Sequence, residues 1–144
     1  MGKKRSPYSQ CLYFTSNAIA RALTKMAEEE FATTGLSPSH AFILMTVNQN
    51  PGITAGGIAR TMELTPSTVT RLIEKLEQRE YLERRSEGKF RRVYPTEKGG
   101  RQQHLLASSW NRLNQRYGYI IGQEKGQHLS AYLTEALEAI QEEA

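Results

Sequence analysis

The stretch that most constrains this 144-residue chain is TPSTVTRLIEKLEQREYLERR, Thr65 to Arg85. Thr65 is a good helix N-cap and Pro66 a good first helical residue. At about 100° per residue, Val69, Leu72, Ile73 and Leu76 share one face of the helix that follows. Ser67, Arg71, Glu74, Lys75 and Gln78 lie opposite, with Thr68 and Thr70 on the flanks. Such a helix must dock its apolar face on neighbouring helices. Its periodicity then gives way to two short runs, YLERRS and RRVYPT, separated by EGKF. Gly88 makes this a hairpin candidate, Pro95 limits its second strand and Thr96 can cap the next helix.

The surrounding chain supplies the docking partners. SPYSQCLYFTSNAIARALTKMAEEEF reads as a long first helix, with Leu12, Ile19, Leu23, Met26 and Phe31 at near-helical intervals and Gly35 as its stop. LSPSHAFILMTVNQNPG is a second helix, capped by Ser37 and ended by NPG. ITAGGIARTMEL gives a short third helix with Thr54 as N-cap and Ile58, Ala59 and Met62 inward. Only MELT separates it from the helix beginning at Pro66, short enough for a tight turn. From Glu97 to Ala144 the pattern is helical, with a break allowed at Gly122 and Gly126. The order predicts a mainly α chain: a winged helix-turn-helix domain with a two-strand wing over residues 36–99, flanked by dimerisation helices over 1–35 and 100–144. The last helix has an apolar face without an obvious partner within the chain, which points to a homodimer.

Composition narrows the function. Hydrophobic residues make up 38% and charged residues 24%, as in folded soluble domains. No apolar run approaches a membrane span, and the basic start MGKKRSPYSQ leads into no secretion-signal core, so a cytoplasmic protein without membrane partners is expected. There is no aspartate, which excludes Ser-His-Asp triads and Asp-led calcium loops. One cysteine and three scattered histidines give no metal-ligand spacing, and no phosphate loop or catalytic cluster is present. The expectation is a protein that is not an enzyme and carries no cofactor or metal.

The net charge of +4 is unevenly placed. Residues 84–101 carry seven Lys and Arg against two Glu, whereas residues 123–144 carry five Glu against one Lys. A local basic patch suits a polyanion. Small hydroxyls at the start of the Thr65-capped helix would let it approach base edges. Pro66, Ser67, Thr68, Thr70, Arg71 and Lys75 are therefore the candidate recognition-helix contacts with double-stranded DNA. Lys89, Arg91 and Arg92 at the hairpin are the candidate wing contacts, suited to the negative potential of a minor groove. A winged helix used only for protein contact is the competing reading.

LTPSTVTRLIEKLEQREYLERR followed by VYPTEKG resembles the winged-helix core of the MarR family of bacterial transcription regulators, over about Leu36 to Gly99. The resemblance implies a triangular homodimer with interlaced terminal helices. It also implies repression of a palindromic operator, relieved by a small molecule or by oxidation. The family's wing often carries an Asp-Arg pair; here the aspartate is missing, Glu87 is the candidate buttress, and Arg91 is preferred over Arg92 for the groove, with Lys89 next. A family-like ligand would draw on Tyr8, Tyr13, Phe14, Asn17, His40 and Phe42, whose aromatic and polar mixture suits a phenolic or amphipathic effector. Cys11, near the start of the first helix, resembles the reactive cysteine of single-cysteine peroxide sensors in this family, which makes a redox switch the alternative.

Overall fold

A computed structural model describes residues 2–144. The elements run α1 (Leu12–Phe31), a 3-10 turn (Ala32–Thr34), α2 (Pro38–Gln49), β1 (Ile53–Thr54), α3 (Ala55–Met62), α4 (Pro66–Gln78), β2 (Leu82–Glu87), β3 (Phe90–Pro95), α5 (Glu97–Arg101), α6 (Gln103–Ile121) and α7 (Gln123–Glu143). The chain divides into two compact units within α6, one through Ser109 and one from Trp110.

In the first unit the expected caps form. Ser37, Thr54, Thr65 and Thr96 each accept a backbone N–H three residues on, opening α2, α3, α4 and α5. The first helix starts later than its periodicity suggested: residues 7–10 form turns, and Cys11 is the N-cap of α1. Gly35 at φ +73 closes the 3-10 turn after α1. The core gathers Phe31, Ile43, Leu44, Val47, Ile58, Val69, Ile73, Leu76, Val93 and Leu106, all fully buried. Burying one such side chain stabilises by roughly 1.5–3 kcal/mol.

The turn between α3 and α4 has a shape its sequence hides. Glu63 sits at φ +53, its N–H bonds the Arg60 carbonyl, and the Leu64 N–H reaches the Ala59 carbonyl at 3.1 Å. Glu80, at φ +63 after α4, repeats the pattern, with the Tyr81 N–H on the Leu76 carbonyl at 2.9 Å. Both are Schellman ends, built on glutamate where glycine is usual.

The expected two-strand wing is present and gains a third strand. β3 lies between β1 and β2 in an antiparallel sheet, with Ile53 opposite Val93, Arg85 opposite Arg92 and Glu87 opposite Phe90. Gly88, at φ +61, takes the first central position of the two-residue turn, where type II′ hairpins place glycine. Gly99 of α5 packs so tightly that a Cβ would fall 2.1 Å from the Tyr81 carbonyl oxygen.

The second unit is the end of α6 and α7, separated by Gly122 at φ +105. No residue of α7 is buried. Tyr119, Ile120, Tyr132 and Ile140 are 64–92% exposed. Among the described residues, no helix is long and apolar enough to cross a membrane.

Candidate nucleic-acid interface

The faces of α4 divide as the wheel predicts. Val69, Ile73 and Leu76 are buried and Leu72 half-buried, while Pro66, Ser67, Arg71 and Lys75 are exposed. The hydroxyls at its start are partly engaged in capping. The Thr65 hydroxyl lies 2.8 Å from that of Thr68 and 3.4 Å from that of Ser67. Thr70 donates to the Pro66 carbonyl at 3.0 Å. Their remaining lone pairs can still accept from base amino groups. Neither Arg71 nor Lys75 forms an ion pair within the described residues, so both charges are free for a phosphate or a base edge.

An ion pair ties the wing to this helix. Arg84 of β2 meets Glu77 of α4 through Nε at 2.9 Å and a terminal nitrogen at 2.7 Å, with both side chains largely shielded. This pairing consumes an acidic charge near the exposed face. The hairpin's geometry makes Arg84 the partner of Glu77.

Strand alternation sorts the wing cations onto two faces. Leu82, Arg84, Ser86, Arg91 and Val93 share the face that meets α4 and the core; Leu82 and Val93 are buried there. Arg91 is exposed and, among the described residues, pairs with no carboxylate. Glu83, Arg85, Glu87, Phe90, Arg92 and Tyr94 share the other face. On it Arg85 pairs with Glu83 and lies 4.3 Å over the Tyr94 ring. Glu87 accepts from the Tyr94 hydroxyl at 2.7 Å and pairs with Arg92 at 3.3 Å. That hydrogen bond holds the Tyr94 phenol above its ordinary pKa. Arg92 also donates to the Gly52 carbonyl at 3.0 Å. Glu87 thus does buttress an arginine, and the arginine is Arg92. Lys89, at the turn, is exposed, with its ammonium 5.8 Å from the Phe90 ring.

Two further cations serve the scaffold. Arg79 donates to the Gly35 carbonyl and Lys98 to the Arg79 carbonyl, and both lie over the Tyr81 ring. These anchors, like the Arg92–Gly52 bond, join residues far apart in the chain. No local periodicity announces them.

The candidate effector residues fall into separate groups. Tyr8 packs on Phe14 at 5.6 Å, and the Asn17 amide donates to the Tyr13 carbonyl; Tyr8, Tyr13 and Asn17 are exposed. Phe42 packs on Phe31 at 5.7 Å. His40 shares a 2.6 Å hydrogen bond through Nδ1 with the Ser37 hydroxyl, while its Nε2 is buried without a partner. Burial first, then the charges of Lys75 and Arg79, lower its pKa. A cleft of about 350 Å³ absent from the sequence reading lies between α6 and α7, lined by Asn114, Tyr117, Gln123, Gln127, Ser130 and two glycines. Cys11 is exposed at the N-cap of α1.

A family model described as the MarR family matches residues 34–92, which hold α2, α3, α4 and most of the wing. Over those residues the chain is similar to the winged-helix transcriptional regulators of the MarR family. It is 31% identical, over 91 residues, to the uncharacterized HTH-type transcriptional regulator YybA of Bacillus subtilis, and the match spans 61% of each protein. It is 27% identical to the HTH-type transcriptional repressor MdtR of the same organism, over 76% of this chain and 75% of that one. The crystal structure of the transcriptional regulator SlyA is similar with a TM-score of 0.79 at 26% identity, covering 92% of this chain and 96% of the other.

Proposed function

We propose that this protein is a DNA-binding transcriptional repressor of the MarR family that acts as a homodimer on a palindromic operator and is released by a small molecule. The observation that carries the DNA-binding reading is the exposed face of α4. It presents Ser67, Arg71 and Lys75 without a carboxylate partner and is tied by Glu77–Arg84 to a wing ending in Lys89 and Arg91. A helix of this kind enters the major groove with its N-terminal residues at base edges, while the wing follows the backbone into the adjacent minor groove.

Dimerisation through residues 1–35 and 100–144 is supported by the apolar surface those segments expose, including Leu12, Tyr13, Tyr132 and Ile140. The proposed effector is a phenolic or amphipathic molecule. The aromatic residues of α1 and α2 and the amide-lined α6–α7 cleft are its candidate positions.

The test is fluorescence anisotropy with duplex DNA from upstream of the protein's own gene and a scrambled duplex as control. Salt-sensitive binding to the native duplex supports the reading. A stoichiometric complex with an acidic protein and no affinity for any duplex would replace it with a protein-interaction module.

A further inference from the structure

We infer that Arg92 is a positioning residue of the wing rather than one of its DNA-contacting cations. This rests on the DNA-binding reading, and it assigns the phosphate contacts of the hairpin to Lys89 and Arg91. The basis is the alternation of β3, which places Arg92 on the face away from α4 and Arg91 on the face toward it.

On that outer face the side chains form one connected series. Glu87 receives the Tyr94 hydroxyl on Oε1 and faces the Arg92 Nε from Oε2. A terminal nitrogen of Arg92 then reaches the carbonyl of Gly52, in the turn between α2 and β1, and the guanidinium lies 5.3 Å from the Phe90 ring. Gly52 is part of the same fit. It sits at φ +91, and a Cβ there would lie 3.2 Å from the Tyr94 hydroxyl. Arg92 therefore spans from the hairpin's end to the body of the domain. Moving it onto a phosphate would release Glu87 and the Gly52 carbonyl together, and would leave the Glu87 charge without its cation beside the DNA. Arg91 and Lys89 carry no such commitments: among the described residues neither forms an ion pair, and both are exposed.

The experiment has a DNA-free arm and a DNA arm. Hydrogen exchange of the wing amides is measured in the free protein, as wild type and as Arg92→Ala, Glu87→Ala and Arg91→Ala. The first two variants are expected to raise exchange over residues 86–91 by roughly three- to tenfold, and Arg91→Ala to leave it near wild type. Binding to a fluorescent duplex is then followed across salt concentrations. Arg92→Ala weakens binding with an unchanged log–log salt slope, whereas Arg91→Ala lowers the slope by about 0.9, the value for one lost phosphate contact. The double variant Glu87→Ala with Arg92→Ala loses no more protection than either single variant. A slope lowered by about 0.9 in Arg92→Ala, or wing exchange unmoved by it, overturns the inference. Absence of duplex binding by the wild type would instead remove the DNA-binding reading, and the exchange arm would still decide whether Arg92 braces the hairpin.

Discussion

Single side chains carry three expectations. Arg71 is exposed on α4 and has no ion-pair partner among the described residues. Arg71→Ala is expected to cost about 1–3 kcal/mol of operator affinity and to relax specificity at one base position, read by anisotropy on operator variants. Unchanged discrimination would take Arg71 out of the groove. Gly99 leaves no room for a side chain, because a Cβ would overlap the Tyr81 carbonyl oxygen. Gly99→Ala should destabilise by at least about 1–3 kcal/mol in urea unfolding. His40 titrates below its ordinary value because it is partly buried beside Lys75 and Arg79. The unfolded chain then binds a proton before the folded one does. The stability His40 contributes is therefore complete above about pH 6.5 and falls as the pH drops through the lower folded-state pKa. Urea midpoints at about pH 8 and pH 5 should differ less in His40→Gln than in the wild type. These residues were unequally legible. The free face of α4 follows from its periodicity, and Arg71 was named from it. The crowding at Gly99 and the burial of His40 come from chain segments brought together by the fold, and nothing beside either residue in the sequence reports them.

At the scale of elements, caps and turns decide the helix-turn-helix geometry. Ser37, Thr54, Thr65 and Thr96 could be read as caps because each lies just before its helix, and a side chain reaching three residues on is local chemistry. The ends of α3 and α4 were harder, since both place glutamate where glycine would signal a stop. Glu80→Gly, at φ +63, is expected to raise stability by about 0.5–1 kcal/mol by removing left-handed strain, partly offset by a more flexible unfolded chain. A loss of stability in denaturant unfolding would show that the glutamate side chain contributes more than its backbone costs. β1 escaped the sequence reading for a different reason. Two residues cannot display a period, and Ile53 and Thr54 form a strand only because β3 lies beside them. The two faces of the wing, by contrast, follow from the register once Gly88 is placed in the turn, and that register sets Arg91 and Arg92 on opposite faces.

For the whole molecule, the first unit has a continuous core and the second exposes apolar side chains along α7. Exposed tyrosine, leucine and isoleucine at helical spacing call for a cover, and a second copy is the proposed one. Ile140→Glu, at a 64% exposed position, should leave the circular dichroism spectrum unchanged and shift the sedimentation of a dimer toward monomer. A monomeric wild type would remove that proposal. The central claim is that α4 and the wing bind DNA as a unit, and one titration tests it most directly. Wild-type protein is added to a fluorescent duplex from upstream of its own gene and to a scrambled duplex, at about 50 and 200 mM salt. The account predicts tight binding to the native duplex alone, weakened steeply by the added salt. Equal, weak binding to both duplexes would contradict it, leaving a basic surface with no sequence to read.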